Sequence, residues 1–145
     1  MHADGLVLIG ELGLTALRDA GWNPEAVGGM TLGADPVAYA IARASAPTRA
    51  PVHAFTVRKA AKAHGALRRI EGCFEPGMRV VVVEDVITTG ASALEAASAL
   101  AGAGGTVIGV LAVVDREEGG RETVERAGYP VRSLVTLPQL LAAQP

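Results

Sequence analysis

The stretch from Val80 to Ser92 constrains the fold more than any other part of the chain: Val-Val-Val-Val-Glu-Asp-Val-Ile-Thr-Thr-Gly-Ala-Ser. Consecutive β-branched residues without polar alternation predict a strand covered on both faces, as in parallel sheets flanked by helices. Glu84 and Asp85 stand at that strand's end, and Thr88, Thr89, Gly90, Ala91 and Ser92 make a hydroxyl-rich turn into a helical pattern from Ala91 to Gly102. Such a turn aims backbone N–H groups at one point beside the positive end of a helix, a place suited to phosphate. The paired carboxylates are placed to grip vicinal hydroxyls of a sugar. A phosphorylated ribose meets both demands. The stretch has neither the Gly-Lys-Ser/Thr ending of a Walker A loop nor the Gly-x-Gly-x-x-Gly of a dinucleotide fingerprint.

Around this stretch, short apolar strands alternate with helical patterns, which predicts an open α/β sheet in one domain spanning 1–145. Leu6, Ile9, Gly13, Ala16 and Leu17 share one helical face that stops at Gly21. A strand follows from Glu25 to Gly29, then a helix capped by Asp35 and begun by Pro36. His53 to Arg58 alternates as a strand, and Arg79 to Asp85 is the central one. In the next helix, Leu94, Ala97, Leu100 and Ala101 form the buried side. Thr106 to Asp115 is a further buried strand, followed by a helix at Glu122–Ala127, a strand at Val131–Val135 and a helix at Leu137–Ala142. Right-handed crossovers bring Gly29–Pro36, Arg58, Glu84–Ser92 and Asp115–Arg116 to one sheet edge, where open α/β sheets bind ligands.

The charge balance is near neutral, at −2, so bulk electrostatics give no reason to expect nucleic acid. Cys73 is alone, which excludes a disulfide framework and a thiolate zinc cluster and reads as a structural cysteine. His2 and His53 lack metal-ligand spacing, and Trp22 reads as local packing. Glu117 and Glu118 read as solvated charges. No stretch is apolar for long enough to cross a bilayer and no secretory signal is recognisable, so a cytoplasmic protein without membrane contact is expected.

The most charged stretch, about 58–74, breaks the α/β rhythm. Arg58, Lys59, Lys62 and His64 place four potential cations beside a strand end, and Gly65 with no helical apolar spacing reads as a flexible loop. A mobile basic loop suits an enzyme that must bury a polyanionic diphosphate ester and release it.

Phe55-Thr-Val-Arg-Lys-Ala-Ala-Lys-Ala-His-Gly65, Ile70-Glu-Gly72 and Val83-Glu-Asp-Val-Ile-Thr-Thr-Gly90 together resemble the type I phosphoribosyltransferases, and among them orotate phosphoribosyltransferase. Gly28-Gly29, Leu32-Gly-Ala-Asp-Pro36 and Val114-Asp-Arg-Glu-Glu-Gly119 extend the resemblance. It implies a mostly parallel sheet flanked by helices. It also implies Mg²⁺-dependent displacement of pyrophosphate from phosphoribosyl pyrophosphate by orotate, giving orotidine 5′-phosphate in pyrimidine synthesis. By the same resemblance, Arg58, Lys59, Lys62 and His64 meet the pyrophosphate, with Lys62 and His64 assisting the leaving group. Glu84, Asp85, Val86, Ile87, Thr88, Thr89, Gly90, Ala91 and Ser92 bind the ribose 5-phosphate moiety. Thr88 and Arg116 serve orotate, and a guanidinium fork suits the substrate carboxylate. Gly28 to Asp35 matches the loop under the pyrophosphate. A homodimer sharing loop residues across subunits is implied too. No protein ligand to the metal is assigned, since Mg²⁺ is held largely through substrate oxygens and water.

The chain departs from the family pattern in three places. It begins close to the helix before the first core strand, where family members carry a further segment forming a hood over orotate, so a reduced or absent hood is expected. Leu32-Gly33 stands where some branches have lysine, which leaves the basic loop and Mg²⁺ to supply charge, and Ala60 replaces an acid. Two alternatives stay open: a phosphoribosyltransferase for another base, and a truncated or non-catalytic phosphoribosyl-pyrophosphate-binding relative.

Overall fold

The valine run fills both faces of a sheet. Val80 and Val82 face one apolar cluster, while Val81 and Val83 face another, and all four are completely buried. The computed structural model describes residues 2–59 and 69–143. In chain order the elements are α1 (Ala3–Asp19), β1 (Ala26–Met30), α2 (Ala34–Ser45), β2 (His53–Val57), β3 (Ile70–Gly72) and β4 (Arg79–Ile87). They continue as α3 (Ala91–Gly102), β5 (Thr106–Asp115), α4 (Gly120–Arg126), β6 (Val131–Thr136) and α5 (Leu137–Ala142).

Among the described residues the sheet runs β3-β2-β1-β4-β5-β6. All pairings are parallel except β2 with β3. Helices α1 and α2 cover one face through Leu14, Leu17, Val37 and Ile41, and α3 covers the other through Ala93, Ala96, Ala97 and Leu100. The expected α/β architecture and the parallel core are therefore present.

Several local expectations need correction. On α1 the buried stripe is Gly10, Gly13, Leu14 and Leu17, while Leu6 is exposed. The helix does end through Gly21, whose φ of 69° lets Trp22 N–H reach back to the Leu17 carbonyl. Helix α2 starts at Ala34 with Gly33 before it and no side-chain cap, so Asp35 is not the cap. On α3, Ala93 and Ala96 take the places expected for Leu94 and Ala101, because small side chains let the helix sit close to the valines.

Strand β4 continues two residues past Asp85, since β5 is long enough to pair Val86 with Val114 and Ile87 with Asp115. The span 58–74 is not loop throughout. Ile70–Gly72 pairs antiparallel with Val57–Phe55, and Phe74 packs edge-on against Phe55 at 5.9 Å. Cys73 is exposed rather than structural. Trp22 packs as expected, so close to Gly109 that a Cβ there would lie 2.5 Å from its ring.

Candidate functional site

Strand order reverses between β1 and β4: from β1 the chain moves outward to β2 and β3, and from β4 it moves the other way. Loops leaving the C-terminal ends of β1 and β4 therefore diverge and open a crevice, the usual ligand position in such sheets. The sequence places Thr31–Gly33 on one side of that crevice and the acidic pair with its turn on the other. These two sides touch. A Cβ on Gly33 would lie 2.7 Å from Asp85 Oδ2, so glycine here lets the β1 turn close on the carboxylate. The Thr31–Leu32 peptide bond in this turn is cis.

Glu84 and Asp85 point to opposite sides of β4, as a period-two strand requires. Glu84 is buried and its Oε1 has no hydrogen-bond partner, whereas Asp85 is exposed and accepts from Val86 N–H at 2.8 Å. Burial, and secondarily the neighbouring charge of Asp85, pushes the Glu84 carboxyl from its ordinary 4.5 up to about 7. A buried acceptor without a donor is costly in a free protein and is explained where a ligand supplies the donor.

Beyond Ile87 the chain turns through Thr88–Gly90 into α3. Gly90 has φ of 81°, a conformation that sterically favours glycine; as the N-cap of α3 it offers no side chain, and Thr89 Oγ1 accepts only from Ala91 N–H, at 3.4 Å. The other first-turn amides and the helix's positive end are thus left for an anion. Glu84 and residues 86–93 line a hollow of about 30 Å³. Within this stretch the side chain of Ile87 is in the core, so that residue can offer only its backbone, and its carbonyl already accepts from Arg116 N–H. The turn rests on Gly120, where any Cβ would collide with the Thr88 carbonyl oxygen. Sequence reasoning missed this support; the Gly119-Gly120 doublet was its only visible signal.

Arg116 follows β5 beside Ile87 and makes a 2.6 Å ion pair with Glu118. Buried Asp115 fixes this loop by accepting from Glu117 N–H at 2.8 Å and pairing with Arg121 at 3.7 Å. Glu118 thus has a partner at the site edge, which its reading as a plain solvated charge did not foresee.

At the end of β2, Arg58 pairs with Glu71 at 3.4 Å across the β2–β3 ladder. Its N–H donates to the Arg69 carbonyl at 2.8 Å, and Arg69 reaches Glu95 on α3 at 2.7 Å. Both ends of the basic segment are therefore anchored, one by the ladder and one by α3. Lys59 is exposed beside Arg58, while Lys62 and His64 lie outside the described residues. Gly28 and Gly29 lie inside β1 rather than in the turn, where side chains would strike the Phe55 and Val83 carbonyl oxygens, so their smallness serves strand packing.

Among the described residues no group of three or more histidine, cysteine or carboxylate side chains is arranged to hold a metal, and no helix is long and apolar enough to cross a membrane. The fold and crevice define an α/β protein with its candidate ligand site at the switch point of a parallel sheet. The profile of the phosphoribosyl transferase domain matches residues 7–127. The chain is 53% identical over 138 residues to orotate phosphoribosyltransferase of Aquifex aeolicus, covering 95% of this chain and 74% of that protein. Identity to the Mycobacterium avium enzyme of the same name is 51% over 140 residues, with coverages of 97% and 75%. The Mycobacterium tuberculosis orotate phosphoribosyltransferase, solved in complex with phosphoribosyl pyrophosphate, superposes with a TM-score of 0.85 at 47% identity, covering 96% of this chain and 77% of that one. The chain belongs to the phosphoribosyltransferase family, of the type I fold, and within it to the orotate phosphoribosyltransferases.

Proposed function

We propose that this chain transfers the phosphoribosyl group of phosphoribosyl pyrophosphate to orotate, releasing pyrophosphate and forming orotidine 5′-phosphate for pyrimidine nucleotide synthesis. The observation that carries the reading is the buried Glu84 Oε1 without a partner beside Asp85, joined at the switch point to a helix start whose N-cap is a glycine. A ribose diol supplies the missing donors, and its 5-phosphate satisfies the amides of the Thr88–Ser92 turn. Orotate nitrogen forms a bond to the anomeric carbon while the bond to pyrophosphate breaks, and the electron pair leaves on the pyrophosphate oxygen.

The transition state carries oxocarbenium character, so the protein's task is to neutralise the leaving group and exclude water. Arg58, Lys59, Lys62 and His64 supply positive charge to the diphosphate, and Lys62 or His64 donates a proton or its field to the departing oxygen. Thr88 and Arg116 orient orotate, the guanidinium meeting its carboxylate. Mg²⁺ fits this donor set, because exposed Asp85 can meet the water shell of an ion bound mainly by substrate oxygens. When bound, it would neutralise charge on the diphosphate.

A homodimer completes the reading, with loop residues serving the partner's site. Its support is an apolar groove of about 960 Å³ between α1 and α2, lined by Leu6, Val7, Leu32, Pro36 and Tyr39. The groove reaches Leu32 of the diphosphate turn, so a second copy seated there adjoins the site.

Incubation with Mg²⁺, phosphoribosyl pyrophosphate and either orotate or adenine tests the activity. Loss of orotate absorbance with no reaction of adenine is expected. Consumption of adenine alone, or binding of phosphoribosyl pyrophosphate without turnover of either base, would replace this reading by one of its alternatives. Light scattering during size-exclusion chromatography tests the dimer.

A further inference from the structure

Expected as a helix cap, Asp35 instead joins three elements. Its Oδ2 accepts from Thr31 Oγ1 at 2.8 Å and its Oδ1 accepts from Thr56 Oγ1, also at 2.8 Å. Thr56 lies one residue before the end of β2 and also meets the Tyr39 hydroxyl at 3.2 Å. Thr31 follows β1, and its N–H donates to the Val57 carbonyl at 2.9 Å.

We propose that Asp35 is a positioning residue for the diphosphate: its carboxylate locks the Thr31–Gly33 turn against Asp85 and ties that turn to the β2 end from which the basic segment departs. The inference rests on the phosphoribosyl-pyrophosphate reading of the crevice and adds a residue to it. An ionised carboxylate only accepts, so each of its oxygens fixes one threonine hydroxyl as a donor. The Thr31 hydroxyl hydrogen is thereby committed to Asp35. What the turn offers an anion is backbone: the Leu32 and Gly33 amides have no hydrogen-bond partner among the described residues. Their direction depends on how firmly Thr31 is held. Charge-assisted bonds of this length hold a turn more firmly than neutral ones. The same carboxylate holds Thr56, two residues before Arg58, so the two diphosphate-facing segments share one anchor.

The test separates the diphosphate from the rest of the ligand. Calorimetric titration in Mg²⁺ buffer compares phosphoribosyl pyrophosphate with ribose 5-phosphate, which occupies the Glu84–Ser92 cradle but has no diphosphate. Asp35→Ala should weaken phosphoribosyl pyrophosphate about tenfold and leave ribose 5-phosphate within twofold. Thr56→Val, which cuts one of the two ties, should give a smaller loss of the same kind, and Thr56→Ser should restore affinity. Ribose 5-phosphate binding also reports that each variant is folded. Equal losses for both ligands, or no loss for either, would overturn the positioning role while leaving the cradle intact. If the wild-type chain bound neither ligand, the cradle reading itself would fall and this inference with it.

Discussion

Replacing Glu84 by glutamine tests whether the crevice is built for a ligand at the expense of stability. Well below pH 4.5 the carboxyl is protonated in folded and unfolded chains alike, and ionisation makes no difference to stability. As the pH rises, the unfolded chain ionises first, because the folded carboxyl holds its proton up to about 7. The folded state then binds more protons than the unfolded one, so stability falls until the folded group ionises too, and is flat above that. The displacement corresponds to about 3 kcal/mol, of which roughly 2–3 kcal/mol accrues between about pH 5 and pH 8. Glutamine keeps the volume but cannot ionise, and its own unsatisfied amide costs about 1–3 kcal/mol at every pH alike. Urea unfolding without ligand or metal should therefore show Glu84→Gln gaining about 2–3 kcal/mol relative to wild type between about pH 5 and pH 8. The same variant should bind ribose 5-phosphate more weakly, because a diol donates more strongly to a carboxylate than to an amide. Parallel stability profiles for the two proteins would refute the account of a desolvated carboxylate awaiting a donor.

Three further perturbations test separate parts of the site. Arg116→Ala should raise the orotate KM with little change for phosphoribosyl pyrophosphate, whereas Glu118→Ala, which frees the guanidinium from its exposed partner, should lower it about two- to threefold in steady-state assays. Gly120→Ala forces a methyl into the Thr88 carbonyl and should cost about 2–3 kcal/mol in urea unfolding together with ribose 5-phosphate affinity. Lys62→Ala should lower kcat about a hundredfold without moving the melting temperature; unchanged single-turnover rates would remove it from the mechanism.

The parts of the fold legible in the sequence are those whose signal is local. Four valines in a row specify a strand buried on both sides, and Gly21 and Gly90 mark turns that need positive φ. The acidic pair and hydroxyl turn could be read together because one strand end and one helix start carry them. What could not be read depends on residues far apart in the chain. Strand β3 is three residues long and owes its conformation to the edge that β2 offers, so its own pattern could not announce it. Asp35 followed by proline has the local signature of a cap, yet Thr31 and Thr56 compete for its carboxylate, and only the parallel pairing of β1 with β2 brings Thr56 there. The support that Gly120 gives to Thr88 likewise arises from the loop after β5 folding back over the loop after β4.

These long-range contacts converge on polar groups that have no protein partner among the described residues: the buried Glu84 Oε1 and the exposed Leu32 and Gly33 amides, beside the start of α3. Glu84 would be a defect in a protein selected only for stability, because a buried group without a partner costs about 1–3 kcal/mol, whereas the exposed amides are met by water. Their shared position at the switch point gives them another meaning. On the proposed reading, a ligand with a diol, a terminal phosphate and a diphosphate would meet them at once, and only in the folded state. Binding and folding would therefore be coupled, and phosphoribosyl pyrophosphate should stabilise the chain more than ribose 5-phosphate does at equal saturation ratio only if it also binds the unfolded chain less. Compared instead at equal free concentration, the rise in melting temperature ranks the affinities directly. The two ligands should then differ by what the Thr31–Gly33 turn and the basic segment contribute, and coincident melting curves would show that the diphosphate side of the crevice is not built as described.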